Sequence, residues 1–192
     1  MTGKEDIMKH GESGRSIIEM IGVLAIIGIL TVGGIAGFSR AMTRNKINKT
    51  LDQVQTLTTN MRSLFASQRK TLELSGAEAY KLGLLTDETW NGTRTTNPFG
   101  GEINFGKGSI SGQTERSFTI EYTGLPTDAC VSIATAEWGA DSSSGLIRMW
   151  IGTGVSAQFF SWTSATNPLP IEAVTAIEKC SVNGGTIKWE YR

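Results

Sequence analysis

Few residues in this sequence of 192 could do acid–base, nucleophilic or metal chemistry. It has one histidine, His10, and two cysteines, Cys130 and Cys180. Zinc sites, iron–sulfur clusters and Ser-His-Asp or Cys-His hydrolases need more ligands or a histidine in the body of the chain. A G-x-x-x-x-G-K match that ends at Lys107 lacks the Ser or Thr that would hold magnesium. The sequence therefore predicts a protein that is not an enzyme, with no metal and no cofactor.

The two cysteines leave two alternatives open. Neither belongs to a C-x-x-C motif and no histidine lies nearby, so a metal site would lack ligands. The pair forms either two buried thiols or one disulfide. A disulfide would indicate an oxidising compartment.

An almost wholly apolar segment precedes these residues and contains one carboxylate. Residues 17–38 have only Glu19 and Thr31 as polar side chains. As a helix, this segment would be about 33 Å long, close to the hydrocarbon thickness of a bilayer. Secretory signals have a shorter apolar stretch that follows basic residues, so they fit poorly. Because a carboxylate in an apolar span is costly, Glu19 is expected to have a partner.

The string Gly14-Arg15-Ser16-Ile17-Ile18-Glu19, followed by MIGVLAIIGIL, resembles the class III signal peptide of type IV prepilins and pseudopilins. The resemblance implies that residues 1–14 are a leader and that a prepilin peptidase cuts between Gly14 and Arg15. It also implies N-methylation of Arg15. Glu19 would pair with the terminal amine of a neighbouring subunit and so set the subunit register in a filament. Arg15 departs from the apolar residue that is usual at the first mature position.

Two later features resemble type IVb pilins. Asn97-Pro98-Phe99-Gly100-Gly101 is a turn on physical grounds and is similar to a segment between helix and sheet in that branch. The region from Cys130 to Cys180, with a final Thr-Ile-Lys-Trp strand, resembles the disulfide-bounded region of type IVb pilins. The resemblance thus implies a Cys130–Cys180 disulfide.

The implied partners are other pilin subunits in a helical homo-oligomeric filament, the prepilin peptidase and an inner-membrane assembly machinery. The implied location is a single-pass inner-membrane protein with a cytoplasmic N-terminus and a periplasmic head, and an extracellular pilus after assembly. The basic residues that follow the apolar segment argue against this orientation, because the positive-inside rule would keep that flank in the cytoplasm. Residues 40–73 carry net charge +5, against −1 for residues 1–14. The whole chain is neutral, which gives no support to a nucleic-acid partner.

The remaining pattern predicts an α+β fold. Residues 15–38 would form the membrane and filament-core half of a helix, and residues 39–75 an amphipathic half that ends near Ser75-Gly76. Apolar residues 54–65 are expected to pack on the chain's own head, residues 76–192. The head is predicted to be an antiparallel sheet with strands at 102–105, 117–122, 129–134, 146–151 and 186–191, and a short helix at 170–179.

The sequence therefore favours a structural subunit of a type IV, type IVb-like pilus that polymerises through its N-terminal helix. A minor pilin or a pseudopilin of a type II secretion system is the alternative within the same class. A membrane-tethered periplasmic enzyme or binding protein that shares only the anchor is the alternative from another class.

Overall fold

A computed structural model describes residues 9–66, 74–110, 113–139, 144–154, 157–182 and 185–192. Side chains are not described at residues 9–16, 113–116 and 182. The chain divides into two compact units, Met1–Thr43 and Arg44–Arg192. The unit Arg44–Arg192 is called the head below.

Helix α1, Lys9–Phe65, begins earlier and ends earlier than predicted. Within the head its buried apolar side chains are Val54, Leu57, Met61 and Phe65. They recur at spacings of three and four, which places them on one helical face. They share one buried cluster with side chains of residues 76–192, such as Phe118 and Trp189, so the prediction that residues 54–65 pack on that part of the chain is confirmed.

The predicted end of this helix at Ser75-Gly76 is wrong. Ser75 is the N-cap of a second helix, α2, Gly76–Lys81, and its hydroxyl accepts a hydrogen bond from the Glu78 amide. The Glu78 carboxylate in turn accepts from the Ser75 backbone, which completes a capping box. The Ser75 hydroxyl also donates to this carboxylate at 2.7 Å, and that hydrogen bond, together with the one from the Ser75 backbone, holds the pKa of the Glu78 carboxyl below its ordinary value. Residues 67–73, between the two helices, lie outside the described part of the chain.

An antiparallel sheet of five strands forms the centre of the head, in the order β1-β2-β5-β3-β4. Four strands agree in position with predicted ones, while β4 was not predicted. The α+β fold with a long N-terminal helix and an antiparallel sheet is confirmed. The strands are β1 Ile103–Ile110, β2 Gln113–Tyr122, β3 Leu146–Ile151, β4 Gln158–Ser161 and β5 Ile187–Tyr191.

The strand predicted at residues 129–134 is wrong, because this segment lies in helix α3, Thr127–Ala134. Ala129, Cys130, Ile133 and Ala134 are its buried residues, a helical spacing that the short apolar run concealed. The helix predicted at 170–179 is present as α4, Ala173–Val182, and begins three residues later than expected.

Aromatic side chains fill the space between α1 and the sheet. Trp189 of β5 lies edge-on to Tyr122, with ring centroids 5.7 Å apart. The ring centroid of Trp138 lies 5.0 Å from that of Trp189. Burial raises the pKa of the Tyr122 phenol well above its usual value. Burial also raises the pKa of Tyr191 to about 12, and this effect is larger than the lowering of that pKa by the positive charge of nearby Arg62.

Candidate assembly surface

The apolar segment, residues 17–38, presents large hydrophobic side chains on every side of α1. Among the described residues, one helix is long and apolar enough to cross a membrane, and it contains this segment. So much exposed apolar surface needs lipid or protein around it. The exposed large side chains are Ile17, Ile18, Met20, Ile21, Val23, Leu24, Ile26, Ile27, Ile29, Leu30, Val32, Ile35 and Phe38.

Polar groups within the apolar segment differ in how they are satisfied. The Thr31 hydroxyl donates to the Ile27 carbonyl at 2.7 Å, so it needs no outside partner. Glu19 is exposed and is the segment's one charged residue. A carboxylate at this position therefore has to find its counter-charge outside the segment.

Gly14 and Arg15, the residues of the predicted cleavage site, lie in the helical backbone of α1. The Arg15 side chain is outside the described part of the structure. Cleavage, methylation and the role of Glu19 stay predictions at this point.

Five glycines leave recesses along the apolar segment. A Cβ atom added at any of them would meet no other heavy atom within 4 Å, so the chain's own packing does not require glycine there. Glycine lets another helix approach the backbone closely. These residues are Gly22, Gly28, Gly33, Gly34 and Gly37.

The turn predicted at residues 97–101 is confirmed, and the Asn97 side chain holds it in place. Its amide nitrogen donates to the Thr123 carbonyl at 2.8 Å, while its oxygen accepts from the amides of Phe99 at 2.9 Å and Gly101 at 3.1 Å. Gly100 has a φ of +88°, which glycine adopts without strain. The turn thus joins the start of β1 to the end of β2.

The disulfide that the resemblance implied is present between Cys130 of α3 and Cys180 of α4. The two Cα atoms are 5.9 Å apart, and both cysteines are buried. The bond links two helices across a long stretch of intervening chain, which includes β3 and β4.

A buried carboxylate, Glu190 of β5, was not singled out from the sequence. It is 1% exposed and pairs with the guanidinium of Arg148, where both nitrogen-to-oxygen distances are 2.9 Å. Its other oxygen accepts from the Ser109 amide at 2.9 Å and from the Ser117 hydroxyl. The polar residues of the last strand alternate with apolar ones, a pattern typical of a half-buried strand, and this gave no sign that Glu190 is buried.

The described residues contain no group of three or more His, Cys, Asp or Glu side chains that could hold a metal ion. Two ion pairs, Lys49–Glu88 and Arg148–Glu190, link segments that are distant in sequence. The arrangement therefore provides an exposed apolar helix and a disulfide-bonded head, and both features suit assembly with other protein chains.

Comparison with known proteins decides the family. The bundlin family model matches residues 39–192, which is most of the chain. The chain belongs to the bundlin family. Two relatives from Escherichia coli, of O111:H- and of O127:H6 (strain E2348/69 / EPEC), are each described as the major structural subunit of bundle-forming pilus. Each is 26% identical over 185 residues, or 95% of both chains.

The fold of this bundlin-family chain resembles a solved pilin structure. A type IV b pilin from Salmonella typhi matches with a TM-score of 0.50 and 21% identity, over 75% of this chain and 97% of that chain. The bundlin-family chain thus shares the fold of a type IV b pilin. It is a structural subunit of a pilus and not an enzyme, and its partners include other pilin subunits.

Proposed function

We propose that this chain is made as a membrane-anchored prepilin, is cut between Gly14 and Arg15, and polymerises through its N-terminal helix into a type IVb-like pilus as a major subunit. The observation that carries the proposal is the exposed apolar segment, in which Glu19 is the one charge and follows Gly14 by five positions. The description of the two Escherichia coli relatives supports the major role.

The apolar segments supply the driving force for polymerisation in this proposal. While the subunit is a monomer, lipid covers its exposed side chains. In the filament, the segments of neighbouring subunits cover one another, and dispersion contacts replace those with lipid. The five glycines allow close approach of the neighbouring helices.

Glu19 sets the register between subunits. Cleavage frees an ammonium group on Arg15, and a prepilin peptidase then methylates it. A buried carboxylate facing that ammonium offsets part of the desolvation cost of both groups. A subunit seated in another register would leave both charges unpaired.

The head lies on the periplasmic side of the inner membrane before assembly, and the leader lies in the cytoplasm. The Cys130–Cys180 disulfide supports this orientation, because disulfides persist in oxidising compartments. The basic flank that follows the apolar segment opposes this orientation, but a cytoplasmic head would have its cysteines kept reduced. The inner-membrane assembly machinery then lifts the subunit into the filament.

Intact mass of the protein extracted from its native membranes tests processing and compartment together. We expect a chain that begins at Arg15 with a methylated amine and that gains about two mass units on reduction of one disulfide. A chain that keeps its leader and carries free thiols would refute both cleavage and periplasmic location.

Substitution Glu19→Ala tests the registration role. The variant is expected to insert into the membrane as the wild type does, because it loses a costly charge, but to form few or no filaments. Asp52→Ala removes an exposed carboxylate from α1 outside the apolar segment and serves as the matched control. Filament yield is measured by shearing and sedimentation. Normal assembly by Glu19→Ala would remove the role from Glu19.

A further inference from the structure

The sheet face opposite α1 carries a row of side chains that crosses all five strands. The pairings of the strands place Asn104, Glu121, Lys188, Trp150 and Phe159 side by side from β1 to β4. At the β1 end, the Asn104 amide donates to the Glu121 carboxylate at 3.1 Å. The other end has a different character, because it is aromatic and cationic.

We call Lys188, Trp150 and Phe159 the sheet patch. The ammonium of Lys188 lies 4.8 Å from the centre of the Trp150 ring, and the Arg148 guanidinium carbon lies 5.3 Å from it. Arg148 is held by buried Glu190, so its charge is already balanced. Phe159, on the edge strand β4, is 45% exposed. The sheet patch therefore offers exposed apolar surface beside a cation.

Helix α4 presents the complementary combination. Its inward side is buried at Ala176 and Cys180. On another side, Val174 is 78% exposed and Ile177 is 53% exposed. Glu178 follows Val174 by four positions, which puts it on the same side, and its side chain is 65% exposed. We call Val174, Ile177 and Glu178 the helix stripe.

The two surfaces match in chemistry, and the exposure of Phe159, Val174 and Ile177 shows that these side chains are not covered within one molecule. The apolar pair of the helix stripe suits Trp150 and Phe159, and Glu178 suits Lys188. Glu178 also pairs with the adjacent Lys179 at 2.8 Å, but the Glu178 side chain is 65% exposed, so this ion pair is worth little and leaves Glu178 available to another partner.

We propose that the helix stripe of one copy of this chain docks on the sheet patch of a second copy. Two different surfaces on one molecule make a heterologous contact, and a heterologous contact that does not close on itself generates an open helical filament. The proposal rests on the proposed function, because it names contacts between heads in a filament held at its core by the apolar segments.

Charge reversal in the full-length chain, expressed with its assembly machinery, tests the contact. Lys188→Glu and Glu178→Lys each place like charges opposite one another in the second copy, and we expect filament yield to fall about fivefold or more. The double variant restores an attractive pair, so its yield should return to within about twofold of wild type. Arg94→Glu, an exposed reversal outside both surfaces, is the control and should assemble normally. Normal assembly by both single variants, or a double variant no better than the worse single, would overturn the proposal.

Disulfide trapping gives a second measurement that does not depend on tolerance of reversed charges. Filaments of Phe159→Cys/Ile177→Cys should yield a ladder of cross-linked subunits after oxidation, while either single substitution should yield monomers. Cross-linked dimers from Phe159→Cys alone would show that two sheet patches contact each other, which would overturn the proposed contact between helix stripe and sheet patch. Absence of a ladder from intact filaments would also overturn it.

The outcomes separate this proposal from the proposed function. If the wild type forms filaments that depend on Glu19 but not on Lys188 or Glu178, only the head contact fails. If the wild type forms no filaments with its own machinery present, both proposals fail.

Discussion

Glu190 holds the far end of the β1–β2 hairpin to the centre of the sheet. Its carboxylate binds Ser109 of β1, Ser117 of β2 and Arg148 of β3, and Arg148 also donates to the Ser109 carbonyl at 2.6 Å. Gly108 lies so close that a Cβ atom there would collide with the carboxylate. A charge in this setting is tolerable because nearly every oxygen lone pair has a donor.

Substitution Arg148→Met should destabilise the head by about 3 kcal/mol, because it leaves a buried carboxylate without its cation. We place the cost at the lower end of the usual range because the Arg148 side chain is 33% exposed. Denaturant unfolding of the full chain in detergent, followed by tryptophan fluorescence, measures it. Arg148→Met/Glu190→Gln should recover part of the loss, and a double variant less stable than Arg148→Met would contradict this account.

Two glutamates show what the sequence reveals at this scale. Glu19 was evident because it interrupts an apolar run, where any charge is conspicuous. Glu190 was hidden because Ile187, Trp189 and Tyr191 alternate with polar residues, a pattern typical of a strand with one wet face. Its burial depends on Arg148 and on the β1–β2 hairpin, which are distant in sequence.

Helices α3 and α4 depend on each other through the Cys130–Cys180 disulfide. The α3 sequence, TDACVSIA, is short and apolar, so periodicity alone does not distinguish a buried strand from a buried helix. Pro126 followed by Thr127 and Asp128 was the helix-start signal that could have decided it. Strand β4 has four residues, too few to show a period.

Removal of the disulfide by Cys130→Ser/Cys180→Ser should lower the free energy of unfolding by roughly 4 kcal/mol, the chain-entropy value for a loop of this length. Thermal unfolding of the full chain in detergent, with and without reductant, measures the change. Reductant should lower the melting temperature of the wild type and leave the variant unchanged. An equal free energy of unfolding for the oxidised wild type and the double variant would show that packing of α3 on α4 alone holds this region.

At the scale of the whole molecule, the division into two units separates anchoring from folding. The unit Met1–Thr43 includes the exposed apolar segment, whereas the head contains the buried core. The buried face of α1 at residues 54–65 is part of the core of the head. The apolar content of the sequence changes sharply near residue 39, where the apolar segment ends.

A fragment of residues 44–192 should therefore fold without detergent, keep its disulfide and stay monomeric. The reason is that its core residues all lie within the fragment. Circular dichroism and sedimentation velocity test this, with the full chain in detergent as the reference. Filament formation by the fragment, or failure to fold, would show that the apolar segment has a different role.

The position of β5 has a consequence for synthesis. Strands β2 and β3 each pair with β5 and not with each other, so without β5 the sheet consists of two separate hairpins, β1–β2 and β3–β4. Translation produces β5 last among the five strands. A nascent chain can thus place its apolar segment in the membrane long before the sheet of its head is complete. A chain interrupted before residue 187 is left with unpaired strand edges, which cellular proteases can recognise.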